Sequence, residues 1–421
     1  MLSIIKLRCE YLENPMGITV QKPRFSWILD SDDRSVLQTS YQIQVSRDRG
    51  NFLHPLWDSG TVKCDKSVHV VYDGPKLDSQ TRYCYRVKIT DNKGNESPWS
   101  DTHLFETGIF DAKEWQASFI SADTAESTGF SSSSPLLRKE FNIKGEILNA
   151  RVYVTSLGLY ELRLNGQKVG EDLLTPGWTS YNKRLQYQTY DVTSMLKNGR
   201  NALGAMLGNG WYKGYLAGWI GNNRERYGKK TALLLQMYIT YADGSEQIVV
   251  SDGTWKAHTG PILMSELYHG ETYDARLEIP GWDKPGFDDS AWEPVCRVEA
   301  DKSILTPQEC VPVRKIETIK PVQMIRTPRG ETVIDMGQNM VGWVRFTARG
   351  TRGSRVMLKH AEVLDSEGNF YTENLRSAKQ IIFCGARRET SLIYLPIVPS
   401  VMKGLAGPEM PRSFSGLHAL I

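Results

Sequence analysis

The segment Ser265-Glu-Leu-Tyr-His-Gly-Glu-Thr-Tyr-Asp-Ala-Arg276 gathers Glu266, Glu271 and Asp274 around His269, with Glu278 just beyond. Carboxylates at this density suit two chemistries. They can ligate calcium through oxygen, or two of them can serve as general acid and base across a glycosidic bond. A third reading is structural, a loop anchored by ion pairs from Arg276. A second concentration is aromatic: Trp178, Tyr181, Trp211, Tyr212, Tyr215 and Trp219 fall in one short stretch. Flat rings stack on the C–H faces of sugars while neighbouring Asn, Asp and Arg bond the hydroxyls, the pattern of an apolar platform with a few placed polar groups. The same rings could equally fill cores and seams between modules. The sequence leaves both choices open.

Other signatures of chemistry are missing from the sequence. Gly208-Asn-Gly-Trp-Tyr-Lys-Gly214 spaces its glycines one residue too widely for a dinucleotide fingerprint, and no helical pattern follows to supply an anion-binding N-terminus. Neither a G-x-S-x-G elbow nor an H-E-x-x-H zinc motif occurs. The seven histidines are isolated. Six cysteines (Cys9, Cys64, Cys84, Cys296, Cys310, Cys384) form no CxxC and read as free, half-buried thiols. Cys64 and Cys84 could nonetheless lie on neighbouring strands. With 51 basic and 48 acidic residues the net charge is +3, too balanced to point to nucleic acid or an anionic membrane. No run approaches the ~20 apolar residues of a membrane span. The opening Met1–Glu10 lacks the apolar region and cleavage site of a signal peptide. As written the chain is expected in the cytoplasm, or in the periplasm or medium if an upstream leader was lost.

The elements that must position these residues are strands. A length of 421 residues suggests several domains, and period-two alternation dominates over helical periodicity. Phe25 and Trp27 share a face, as do Tyr83, Tyr85, Val87 and Ile89, with Arg82, Arg86 and Lys88 outward. Short alternating strands broken by turns such as Asp91-Asn-Lys-Gly94 predict antiparallel sandwiches. The Leu77…Tyr83 spacing and Ser97-Pro-Trp-Ser100 resemble a fibronectin type III module, in which the tyrosine closes a corner against backbone. Trp115–Ser134 reads as a junction containing a polar serine loop. Beyond it, Ala150–Val154, Tyr160–Leu164, Tyr187–Tyr190, Ala202–Leu207 and Thr231–Tyr241 read as strands, with Asn165-Gly166 as a hairpin turn. Asp191–Leu196 reads as one helical turn capped by Asp191. A third module starts near Pro312, with strands Glu331–Asp335 and Gly342–Thr347 flanking a loop at Met336–Met340.

Ordered motifs along the chain resemble the N-terminal half of the bacterial α-L-rhamnosidases of glycoside hydrolase family 78. Leu7-Arg-Cys-Glu-Tyr-Leu12, Asn14-Pro-Met-Gly17 and Pro23-Arg-Phe-Ser-Trp27 resemble its fibronectin-like lead module. Leu164-Asn-Gly-Gln-Lys-Val-Gly170, Thr175-Pro-Gly-Trp-Thr-Ser-Tyr181, Leu207-Gly-Asn-Gly-Trp-Tyr212, Gly270-Glu-Thr-Tyr-Asp-Ala-Arg276 and Asp288-Asp-Ser-Ala-Trp292 resemble its N-terminal sandwich. Asp335-Met-Gly-Gln-Asn-Met-Val-Gly-Trp343 and His360-Ala-Glu-Val-Leu364 resemble its concanavalin-like module. The match runs over roughly residues 4–380 and is specific because many motifs occur in order.

The resemblance implies an all-β chain of tandem antiparallel sandwiches. These are a fibronectin type III-like domain (1–110), a jelly-roll, carbohydrate-binding-like sandwich (111–311) and a partial concanavalin-like sandwich (312–380). Residues 381–421 read as an aberrant, disordered tail. It implies hydrolysis of terminal α-L-rhamnose with inversion, by two carboxylates about 6.5–9.5 Å apart. These would lie on a helical toroid beyond the matched region, so no catalytic residue is carried over and the chain alone is expected to be inactive. The alternative is a non-catalytic carbohydrate-binding or scaffolding protein. The resemblance also implies rhamnose and calcium binding through an accessory sandwich. Candidate sugar contacts are Asn165, Trp178, Tyr181, Trp211, Tyr212, Trp219 and Glu271. Expected partners are rhamnose-containing glycans or glycosides, and a second copy of the chain, as homodimer or aggregate, through the incomplete third sandwich.

Overall fold

A computed structural model describes residues 2–47, 50–122, 132–216, 223–348 and 353–375, together with the strands Ile381–Gly385, Ser391–Tyr394, Ser400–Gly407 and Ser415–Leu420. The chain divides into two compact units, Met1–Trp115 and Gln116–Ile421. Among the described residues no helix is long and apolar enough to cross a membrane.

The first unit is a two-sheet sandwich. Leu2–Cys9, Arg24–Ser31 and Val70–Val71 form one sheet, and Gln38–Ser46, Arg82–Asp91 and His103–Glu106 form the body of the other. Alternation drives the faces as expected: Phe25, Trp27, Tyr83, Tyr85, Val87 and Ile89 are buried, because period two sends every second side chain to one side of a strand. Tyr83 stacks on Phe105 at 5.2 Å, and its hydroxyl accepts the Asp78 N–H at 2.8 Å, the corner expected of this module. Asp91 closes its turn by accepting from the N–H groups of Lys93 and Asn95. Cys64 and Cys84 are free thiols. They flank opposite ends of the strand Gln38–Ser46, since Cys64 bonds Thr39 while Cys84 pairs with Ser46.

The second unit opens with a sandwich whose long strands are Pro135–Ile143, Ile147–Leu157, Leu159–Leu164, Leu185–Asp191, Gly199–Gly208 and Ala232–Tyr241. Its core runs through Leu137, Val152, Val154, Leu162, Leu203, Leu235, Met237 and Trp255. The supposed junction is partly structured: Phe119–Ala122 is a strand held between Ala232–Tyr241 and Glu293–Val298. Buried Gln236 pins its approach by accepting the N–H groups of Gln116 and Ala117. Residues 123–131, including Ser131 of the predicted polar loop, lie outside the described residues. Asn165 and Gly166 turn the predicted hairpin with φ of +52° and +86°, the left-handed pair that a two-residue hairpin loop requires. The predicted helical turn is the 3-10 turn Thr193–Met195, with the Asp191 carboxylate accepting from the Thr193 N–H and hydroxyl.

The last sheet corrects the sequence reading in two places. Thr332–Ala348 is one long strand, and the predicted loop at Met336–Met340 is an irregularity within it. Gly337 takes φ of +81°, and Asp335 accepts its N–H at 2.8 Å, so the backbone bends without ending the strand. Within the predicted disordered tail, the four described segments are strands. Ser400–Gly407 pairs with both Thr332–Ala348 and Arg355–Ala361, and Ile381–Gly385 pairs with Arg355–Ala361. Ser391–Tyr394 and Ser415–Leu420 pair with Thr332–Ala348. Their partners lie far upstream, so local pattern could not reveal them. The hairpin Ile262–Glu266/Gly270–Asp274 joins the same sheet, because Gly270–Asp274 runs parallel to Ile381–Gly385.

Candidate functional site

That hairpin carries the acidic motif, and its register separates the two glutamates. Ser265 faces Glu271 and Glu266 faces Gly270 across the ladder. Adjacent positions on a strand point to opposite faces, so Glu266 and Glu271 project to opposite sides of the hairpin. An acid/base pair acting across one glycosidic bond needs them on the same side of a common cleft.

Glu266 is buried and fully engaged. It accepts from Asn209 Nδ2 at 2.8 Å and from the Tyr215 N–H at 3.2 Å, and Arg224 lies at 3.4 Å. Asn209 and Tyr215 bracket a one-turn helix, Gly210–Lys213, where the sequence predicted none. A carboxylate on this side folds the Gly-rich loop over itself, so the loop is a clasp on Glu266. Gly214 is required there, because a Cβ would sit 2.7 Å from Glu266 Oε2. His269 packs edge-on against Tyr215 at 4.4 Å.

Glu271 is fully buried and neither carboxylate oxygen has a hydrogen-bond partner among the described residues. Burial pushes its pKa up to about 8, because an unpaired charge is far costlier to bury than a neutral carboxyl. At pH 7 it is a protonated acid inside the fold. Asp274 grips Arg276 through both carboxylate oxygens, and Tyr273 donates to Glu278 at 2.8 Å. The anchored-loop reading therefore describes Asp274 and Arg276. Among the described residues no group of three His, Cys, Asp or Glu is placed to hold a metal ion.

The rings divide by environment. Trp178 is 52% exposed and stacks in parallel on Trp211 with centroids 5.9 Å apart. Trp211 in turn packs against Leu159 and Ile262. Tyr181 is buried, edge-on to Tyr212 and Tyr227, and donates its hydroxyl to the Gly177 carbonyl at 2.7 Å. Tyr212 is half-buried beside it. Trp219 lies outside the described residues. Asn165 is a structural plug: it donates to Met195 O and Asn201 Oδ1 and accepts the Ala202 N–H. Of the candidate contacts, Trp178 and Trp211 form an open platform, while Tyr181, Asn165 and Glu271 face inward.

Sequence reading missed the salt-bridged floor beside this region. Arg163 bridges Glu161 at 2.9 Å and Asp283 at 2.5 Å. It also missed buried Arg138, which ties the segment after Gly281 to the sheet. Arg138 binds Asp289, Glu140 and the carbonyls of Trp282 and Lys284. The alternating Glu161-Leu-Arg163 was a readable signal that polar side chains share the outer face of that strand.

Three family models match in order. They are a Rha78A-like, N-terminal immunoglobulin domain over residues 4–111, an alpha-L-rhamnosidase N-terminal domain over 145–317, and a bacterial alpha-L-rhamnosidase concanavalin-like domain over 325–391. The chain carries, in order, the N-terminal β-sandwich domains of the α-L-rhamnosidase family. The concanavalin-like match passes Gln380, where the motif resemblance stops. An α-L-rhamnosidase of Alteromonas sp. (strain LOR) is 37% identical over 87% of this chain, and one of Formosa agariphila is 34% identical over 92%. The chain spans only 40% and 42% of those two relatives. Among solved structures, native α-L-rhamnosidase of Aspergillus terreus superposes with a TM-score of 0.94 at 33% identity, covering all of this chain and 49% of that one. The Streptomyces avermitilis α-L-rhamnosidase complexed with L-rhamnose also gives 0.94, at 28% identity, covering 57% of that chain. The tandem-sandwich fold is thus the fold of this family's N-terminal part.

Proposed function

We propose that residues 1–421 are the β-sandwich portion of an α-L-rhamnosidase acting on rhamnose-containing glycosides, and that the sandwiches hold sugar without hydrolysing it. The observation that carries this reading is the register of the Ile262–Asp274 hairpin. Its two glutamates face opposite ways, one locked by Asn209 and Arg224, the other buried and protonated. Neither is set to share a substrate and a water with the other. The hydrolytic carboxylates are assigned to the part of the family's length outside this stretch. The stacked, exposed Trp178 favours a second reading, a carbohydrate-binding or scaffolding protein with its platform at Trp178 and Trp211. We further propose self-association through apolar residues exposed on the third sheet.

The test is release of 4-nitrophenol from 4-nitrophenyl α-L-rhamnopyranoside by the purified, folded 421-residue chain. No turnover is expected. Turnover proportional to protein, and lost in Glu266→Gln or Glu271→Gln, would overturn the reading and place the chemistry in the hairpin.

A further inference from the structure

A cleft of about 380 Å³ opens on the outer face of the second sandwich. Three strands build its floor in register. Glu161 and Leu136 both pair with Met206, so the three side chains form one row across Leu159–Leu164, Gly199–Gly208 and Pro135–Ile143. Arg163 stands in the next row, opposite Gly204. Ile262 and Tyr273 of the acidic hairpin form one wall, and Ile279–Asp283 the other. Trp282 reaches the floor because Gly204 has no side chain; a Cβ there would come within 2.7 Å of the indole.

We propose that this cleft is a carbohydrate subsite that takes one neutral pyranose and rejects acidic sugars. Its volume lies at the small end of the range for small-molecule sites, ~300–1,000 Å³. The floor offers Met206, and the wall Ile279, Pro280 and Trp282, to the C–H face of a ring, with Leu136 and Ile262 buried behind them. Polar groups are few and fixed. Glu161 is 8% exposed and bonds Arg163 two residues along its own strand. Through Arg163 it is linked to Asp283, and the Lys168 ammonium of the next strand also feels its charge. Its carboxylate nonetheless stands on the cleft floor, where a sugar hydroxyl can share it with Arg163. The lining carries three carboxylates, Glu161, Asp283 and Glu278, against the single guanidinium of Arg163. Sugar hydroxyls can donate to these carboxylates and accept from Arg163. A uronate or sulfated sugar would bring a further negative charge into a lining that is already net negative. Glu161 and Arg163 are strand-borne and so held more tightly than loop residues.

The subsite rests on the family reading only for its first probe, L-rhamnose. Isothermal titration of the 421-residue chain with L-rhamnose and with D-galacturonate decides it. L-Rhamnose is expected to bind, and D-galacturonate not to. Glu161→Gln keeps shape and removes charge, and should weaken rhamnose binding about tenfold. Ile279→Trp fills the cleft from its wall and should abolish binding in a protein whose thermal unfolding is unchanged. Absence of rhamnose binding to the folded wild-type chain would overturn the proposal, as would equal binding of galacturonate. So would wild-type affinity in both variants, which would place the sugar elsewhere. None of these outcomes touches the family assignment, and turnover of the nitrophenyl rhamnoside would leave the cleft standing.

Discussion

The second sandwich and the third sheet are built from similar strands but finish their surfaces differently. In the second, a continuous core from Leu137 to Trp255 is closed by the chain itself: Arg138 draws Trp282, Lys284 and Asp289 down over the outer face. Phe287 adds its ring against the Arg138 guanidinium at 5.3 Å. In the third, Val333, Ala361 and Phe370 form one cluster with Ile325 beside them, and Ile334, Met336, Val344, Phe346, Val356 and Leu358 are buried as well. In the same stretch of chain Val322, Met324, Val341 and Val363 stand exposed, and Ile316 reaches 83% exposure. The comparison contrasts a module that closes its own outer face with one that leaves large aliphatic side chains in solvent among the described residues.

The largest expected effect tests that closure. Arg138→Ala takes the buried guanidinium from Asp289, Glu140 and the carbonyls of Trp282 and Lys284 and releases the strap, while Lys256 still holds Asp289, and it should cost about 3 kcal/mol in urea unfolding. A loss below about 1 kcal/mol would mean that the strap is decorative and the contrast false.

Glu271 sharpens the boundary between the two regions, because it sits where the hairpin of one joins the sheet of the other. Its folded-state pKa, about 8, lies above the ordinary glutamate value. The folded state therefore keeps a proton that the unfolded chain releases, so stability should fall as pH rises from about 4.5 to about 8 and then level off. The full shift sets a ceiling of about 5 kcal/mol, and water entry should reduce the observed fall to on the order of 2 kcal/mol. Glu271→Gln should remove that slope. An unchanged slope in the variant would assign the titration to another group.

The exposed apolar surface gives a third test. Light scattering of the wild-type chain should show association, and Met324→Lys should weaken it about tenfold without loss of folding. A monodisperse monomer at all concentrations would remove the proposed contact. The smallest effect belongs to Trp178→Ala. An exposed ring stacked on Trp211 should contribute under about 1 kcal/mol to stability. A larger loss would make the platform a part of the core.

The first unit was legible nearly residue by residue. Phe25, Trp27 and the Tyr83–Ile89 alternation named their own faces, and Tyr83 its corner, because strand periodicity and short-range turns are written locally. The aromatic cluster was legible as a cluster but not by role: Tyr181 turned inward while Trp178 stayed out, a difference set by neighbours far along the chain. Asn165 was visible as a turn residue, and its commitment to Met195, Asn201 and Ala202 was not.

Sequence by itself determined the all-β character, the order of modules, turns such as Asp91–Gly94 and Asn165–Gly166, and the family, since each depends on local pattern or on motifs in succession. Only the tertiary structure decided that Glu266 and Glu271 part company across a hairpin, and that Glu161, Arg163 and Asp283 meet in one cleft. It also decided that strands beyond residue 380 return to Thr332–Ala348 and Arg355–Ala361. Strand register and cross-strand neighbours depend on pairings between segments remote in sequence, and a shift of one residue reverses every side chain.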